Sequence, residues 1–209
     1  MNPRQKSSVG LVAGCALWLT VVVGATALMV RYSNIPGNAI AAPASWPAQS
    51  RIPFDRAHPT LIMFAHPRCP CTRASLSELA RLLTQVPDKL NTYVVFLKPE
   101  GTPVDWDKTD LWRTATAIPG VTVLSDSTGM EARHFHAETS GQTLLYNQIG
   151  ALLFQGGITL ARGHEGDNPG RTALQDLIRT GHSDQTNTAV FGCGLFETQC
   201  QKGTIVCKP

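Results

Sequence analysis

Apolar positions along this chain fall into one long block and a series of short ones, and the two kinds predict different structures. The long block runs from Val9 to Val30, is free of charge and is mostly apolar. At about 1.5 Å of rise per residue, a helix of that length crosses a hydrocarbon core of about 30 Å. The following stretch carries Pro36, Gly37, Pro43, Pro47 and Pro53 among alanines and polar residues, with neither a helical nor a strand period. Residues 32–57 are therefore expected to form a Pro/Ala-rich linker.

The short blocks begin at Leu61-Ile62-Met63-Phe64, a continuous apolar run of buried-strand length that meets turn chemistry at His66-Pro67-Arg68-Cys69-Pro70-Cys71. Leu76, Leu79, Leu83 and Val86 then recur at spacings of three and four, predicting a helix from about Thr72 that stops before Pro87. Tyr93 to Leu97 reads as a second buried strand, parallel to the first, which completes a βαβ unit. A helix over Thr109 to Ala117, a strand over Val121 to Leu124 and a helix from Met130 to Ala137 follow. Thr143–Tyr146 and Ala151–Phe154 flank the turn Asn147-Gln148-Ile149-Gly150 as an antiparallel hairpin. Asn168-Pro169-Gly170 opens a last helix with Leu174, Leu177 and Ile178 on one face and Gly181 at its end. The order β-α-β-α-β-α-β-β-α predicts an α/β fold whose mixed sheet is covered on both faces by helices. The expected organisation is an anchor over 1–31, the linker, a domain over 58–181 and a tail over 182–209.

Charge orients the long block. Arg4 and Lys6 precede it, so the positive-inside rule keeps the N-terminus in the cytoplasm and sends everything after Arg31 across. This predicts a single pass with the lipid bilayer as partner and the domain at the cell exterior. A cleaved signal peptide ending at Ala39-Ile40-Ala41 is the alternative, disfavoured because secretory apolar regions run to about 7–15 residues. The net charge of +3 over 209 residues is mild and scattered, which argues against nucleic acid as a partner.

The compartment changes how the cysteines read. Cys15 lies in the apolar block; the other five lie where disulfides persist. An odd count leaves at least one free, bridged to another molecule, or acting as a ligand. Cys193, Cys200 and Cys207 are evenly spaced, unlike the close pairs of zinc sites. Two of these three are expected to form a structural bridge and the third to communicate with Cys69 and Cys71. Cys69, at the start of a helix, meets unpaired backbone N–H groups that stabilise a thiolate, and His66, Arg68 and Arg73 add positive charge nearby. Cys69 is accordingly the expected nucleophile and Cys71 the resolving thiol. A ring closed across Pro70 alone would be strained and more oxidising than a relaxed one.

That reading needs no cofactor. Two alternatives stand beside it: an inert cysteine pair, and a Cu(I) site in which Cys69 and Cys71 are joined by His134 and His136, since two thiolates suit a soft ion. The polar loop Arg162 to Asn168 reads as a turn with a helix cap in preference to a cation or substrate site. His58 and His182 read as ordinary surface residues.

The segments Phe64-Ala65-His66-Pro67-Arg68-Cys69-Pro70-Cys71-Thr72-Arg73 and Leu145-Tyr146-Asn147 through Phe154-Gln155-Gly156-Gly157, in this element order, resemble the thioredoxin-like superfamily, in particular its membrane-tethered periplasmic branch and the RedB-like proteins. The resemblance spans roughly Pro59 to Gly181. It implies a three-layer α/β/α domain with a central mixed sheet and thiol–disulfide exchange with exported protein thiols or disulfides, coupled to a membrane electron donor or acceptor. It also implies a bacterial inner membrane for the single pass and the periplasm for the domain. Three departures stand out. Only Pro70 separates the cysteines where the superfamily has two residues, Arg68 replaces the usual tryptophan, and the usual cis-proline position falls at about Gly141. In the superfamily's copper-delivering members a histidine sits at a position that here falls near Thr139. A non-catalytic interaction protein that keeps only the fold is the remaining alternative.

Overall fold

The computed structural model describes residues 3–196. The chain divides into two units, the first ending at Ile35 and the second beginning at Pro36. The first is helix α1 (Pro3–Ser33). Its segment Gly10–Ser33 has a mean hydropathy of 2.1 and is, among the described residues, the one helix long and apolar enough to cross a membrane. Such a helix fits a single-pass anchor, and a signal sequence has the same character.

The second unit is built on β1 (Thr60–Ala65), α2 (Cys71–Gln85), β2 (Asn91–Lys98), α3 (Asp110–Thr116), β3 (Val121–Ser127), α4 (Met130–His134), β4 (Gln142–Tyr146), β5 (Leu152–Gly156) and α5 (Pro169–Thr180). The five strands form one sheet in the order β3-β2-β1-β4-β5. β1, β2 and β3 run parallel, while β4 is antiparallel to β1 and to β5. The pattern predicted from sequence is the one observed, with parallel neighbours joined through helices and the antiparallel pair joined by a tight turn.

β1 is the central strand and is buried over its whole length. Side chains alternate across a strand, so its continuous apolar run feeds two cores. Leu61 and Met63 pack with Leu76, Leu79 and Leu82 of α2, Leu111 of α3 and Leu174 and Leu177 of α5. Ile62 and Phe64 point the other way and pack with Ala132, Phe135 and Tyr146. Three helices thus cover one face, and the short α4 covers the other.

That second face is completed by chain expected to be linker. Ala42 and Ile52 are buried in it, and the Trp46 ring stacks on Phe54 and meets Phe135 and Tyr146 edge-on. The Tyr146 hydroxyl donates to the Pro43 carbonyl at 2.9 Å, and the Ala42 N–H donates to the Gln155 side chain at 2.7 Å. A five-residue helix cannot cover a five-stranded face, so the aperiodic segment supplies the missing apolar surface. From Pro36 onward it is part of the domain. The tail corrects in the same direction: residues 186–195 lie along the body through bridges Gln155↔Asn187 and Thr139↔Gly194.

Helix α4 stops at His134, short of the expected Ala137. Phe135 leaves the helical conformation and His136 takes a left-handed φ of 54°. This turn lets both Phe135 and Ala137 reach the core, which a continuing helix would not allow.

Candidate functional site

The site lies where β1 gives way to α2. The chain turns tightly after Ala65, with the Cys69 N–H donating to the His66 carbonyl at 3.2 Å. Pro70 stands at the N-cap with φ −58° and ψ −33°, so its ring is already set for the helix that Cys71 begins. Cys69 therefore sits two residues ahead of the first helical turn, where backbone N–H groups lack intrahelical acceptors. Its side chain is 1% exposed.

What covers it is the tail. The Cys193 sulfur lies 2.6 Å from the Cys69 sulfur, and the Cys193 N–H points at the same sulfur at 3.4 Å. A second support is a hydroxyl relay. The His66 N–H donates to Ser140 Oγ at 2.8 Å, and Ser140 and Thr72 share a hydroxyl bond at 2.8 Å. With Ser140 as donor in that pair, the Thr72 proton is shared between the Cys69 sulfur and the His66 carbonyl, 3.4 Å from Thr72 Oγ1.

These groups set the ionisation of the three cysteines. The thiol of Cys69 is brought from 9.0 down to about 5, first by the Cys193 thiol, against the opposing cost of burial, and further by the Cys193 N–H, the Thr72 hydroxyl and the Cys71 N–H. Cys193 is pushed up, chiefly because its hydrogen bond to Cys69 keeps its proton in place. Cys71, half-buried, is also pushed up, by desolvation and then by the negative charge on Cys69. The result is one thiolate flanked by two thiols.

The expected cationic support is arranged differently. Arg68 stacks its guanidinium 4.8 Å from the centre of the Trp106 ring, and Arg73 pairs with Asp110. Burial lowers the His66 pKa, so its imidazole favours the neutral form, and Nδ1 accepts the Arg68 N–H at 3.1 Å. The thiolate is stabilised by hydrogen bonds, while Trp106 and Asp110 engage the neighbouring charges of Arg68 and Arg73. The cation that does enter is Arg162, which bonds the Gly192 carbonyl and interacts with Cys71. Arg162 opens a loop that reads as a turn, and no local pattern links it to residue 71.

Gly141 lies directly before β4, as expected. Its φ is 91°, its N–H donates to the Phe64 carbonyl at 2.8 Å, and an added Cβ would stand 2.7 Å from Ser75 Oγ. A proline could supply neither that φ nor that donor.

The tail cysteines are placed in part. Cys193 meets Cys69, so it takes the place of the third tail cysteine expected to communicate with the pair; Cys200 and Cys207, left to form the expected bridge, fall outside the described residues. His134 lines a shallow hollow with Arg51, Ser125 and Glu131, and His136 Nδ1 lies 2.8 Å from the Ala41 carbonyl oxygen. Among the described residues no three His, Cys, Asp or Glu side chains come together as a metal-holding group, so Cys69, Cys71, His134 and His136 are not assembled as the copper alternative requires. Thr139 is buried and donates to the Asn38 carbonyl. His58 and His182 are exposed, as expected.

The 162–168 loop is anchored as a cap. Asn168 accepts the Arg171 N–H at 2.8 Å, and the fully buried Glu78 accepts from Gly166 N–H and Asn168 and pairs with Arg171 and Arg81.

No family profile and no curated protein matches the chain. Among solved structures, a hypothetical protein from Sinorhizobium meliloti superposes with a TM-score of 0.60 at 17% identity, over 77% of this chain and 96% of that one. An uncharacterized conserved protein from Geobacillus kaustophilus gives 0.57 at 18% identity, over 78% and 93%. At lower likeness, the exposed lipoprotein thioredoxin of Streptococcus pneumoniae gives 0.44 at 14% identity, over 59% and 85%. The sheet order, the βαβ unit, the hairpin and the helix that follows it decide the architecture. The fold is thioredoxin-like. In this thioredoxin-like domain the cysteine pair occupies the turn between β1 and α2, and the hairpin entrance at Ser140 and Gly141 faces it.

Proposed function

We propose that this chain is a membrane-tethered thiol–disulfide oxidoreductase that works outside the cytoplasm on thiols or disulfides of exported proteins. The observation that carries the reading is the geometry at Cys69: its buried sulfur stands just ahead of α2, 2.6 Å from the Cys193 sulfur and facing the Cys193 N–H, surroundings that draw its pKa down. A thiolate attacks a disulfide sulfur, and a neighbouring thiol is needed to release the mixed disulfide that results. The Cys69 environment favours the first requirement, and Cys71 and Cys193 are the neighbouring thiols that would meet the second. The apolar helix α1, with Arg4 and Lys6 before it, supports a periplasmic or exterior placement, where such exchange has clients.

The test is disulfide exchange by the full chain in detergent, with a disulfide-bonded protein as substrate and dithiothreitol as electron source. The wild-type chain is expected to turn over and Cys69→Ser to be inactive. Equal rates for the two would sink the proposal.

A further inference from the structure

Cys69 and Cys71 are separated in sequence by Pro70 alone, but the sulfur that meets Cys69 comes from a residue 124 positions away. Its placement is built. The Ser140 N–H donates to the Cys193 carbonyl at 2.8 Å, and the Leu195 N–H donates to the Glu138 carbonyl at 2.8 Å. Val190 and Leu195 are buried on either side, fixing the segment at both ends. Arg162 holds the Gly192 carbonyl. At Gly192 itself a Cβ would stand 1.9 Å from the Ser140 carbonyl oxygen, so only glycine lets the strap approach this closely.

We infer that Cys193 is the cysteine that resolves mixed disulfides on Cys69, and that the segment 190–195 is a strap which covers the attacking sulfur between cycles. The inference rests on the proposed exchange activity and changes which disulfide that activity passes through. Ring closure explains the preference. A Cys69–Cys71 bond must close across a single residue whose proline ring is fixed in the helical conformation, whereas Cys193 approaches from a separate segment with its own backbone freedom.

The step balances as follows. The Cys69 thiolate attacks one sulfur of a client disulfide; a Cys69–client disulfide forms, the client S–S bond breaks, and the leaving client thiolate takes a proton. Cys193 then gives up its proton and attacks the Cys69 sulfur. The Cys69–Cys193 bond forms, and the second client thiolate leaves and is protonated. The client disulfide gains two electrons, which the Cys69 and Cys193 thiols lose. Run backward, the same steps oxidise a client dithiol. Because Cys69 is buried under the strap, a folded client requires the strap to lift first, whereas a small disulfide needs far less opening.

The test uses the reduced full chain in detergent, carrying Cys200→Ser and Cys207→Ser and treated with oxidised glutathione. Acid-quenched samples are mapped by mass spectrometry of alkylated peptides. A Cys69–Cys193 linked peptide is expected to dominate, and Cys71→Ser is expected to form it equally well. Cys193→Ser is expected to lose the link and to keep glutathione on Cys69. If the parent chain links Cys69 to Cys71 and Cys193→Ser clears glutathione as fast as the parent, the role of Cys193 is overturned while exchange survives. If no variant takes up glutathione on Cys69, the exchange activity falls with it. Should Cys193→Ser misfold, Cys71→Ser still decides, because it leaves Cys193 intact and either shows the 69–193 link or does not.

Discussion

Four donors converge on the Cys69 sulfur: the Cys193 thiol, the Cys193 N–H, the Thr72 hydroxyl and the Cys71 N–H. Because the Cys193 thiol is the strongest of them, Cys193→Ala should raise the Cys69 pKa well above the wild-type value of about 5. Titration of ultraviolet thiolate absorbance reads this directly, and an unchanged midpoint would mean that the helix start alone holds the charge. The same shift couples to folding. A depressed acid pKa stabilises the reduced fold fully above the ordinary thiol value of 9.0, and that contribution is lost as pH falls toward about 5. Above 9.0 the raised pKa of Cys193 works in the opposite direction. The position of Cys69 was legible from sequence, since an apolar run meeting Pro, Cys and a helical period can hardly be anything but a strand-to-helix turn. Its partners were not. Arg68 and Arg73 are close in sequence, yet Trp106 and Asp110 engage them, while Cys193 and Arg162 arrive through tertiary folding that no local spacing encodes.

At the level of elements, the junction of α2 and α5 shows how the loop before a helix can hold two helices together. Glu78 is fully buried and is answered by Arg171, Arg81, the Gly166 N–H and Asn168. Its removal would leave the mostly buried Arg171 guanidinium with only the exposed Asp167 carboxylate as an ionic partner. Glu78→Ala is therefore expected to cost about 3–5 kcal/mol, and Asn168→Ala about 1 kcal/mol through the lost cap. Denaturant melts of the two variants check both the magnitudes and their order; equal losses would mean that Asp167 is a sufficient partner for Arg171. The helical and strand periods were readable because each element buries a regular stripe. The end of α4 was not, because Phe135 leaves the helix to fill a gap between Phe64, Trp46 and Tyr146. The linker misled for the converse reason: a segment that packs through Ala42, Trp46 and Ile52 shows no period, since it follows the contour of the sheet.

For the whole molecule, α1 predicts that the full chain sediments with membranes and resists alkaline extraction, and that a chain beginning at Pro36 does neither. A mature N-terminus just after Ala41 would instead identify α1 as a cleaved signal. The domain's two terminal segments also share a task along β5. The Leu152 N–H donates to the Ala44 carbonyl, the Gln155 N–H to Thr186 and the Thr188 N–H back to Gln155, so β5 is hydrogen-bonded on its outer side as well. Unpaired sheet edges invite extended chains to add a strand, in aggregates and in peptide recognition alike. With β5 closed by residues from both ends of the domain, β3 is, among the described residues, the other edge strand of this sheet. An extended chain adding to the hairpin side of the sheet would therefore first have to displace the segments around Ala44 and Thr186–Thr188.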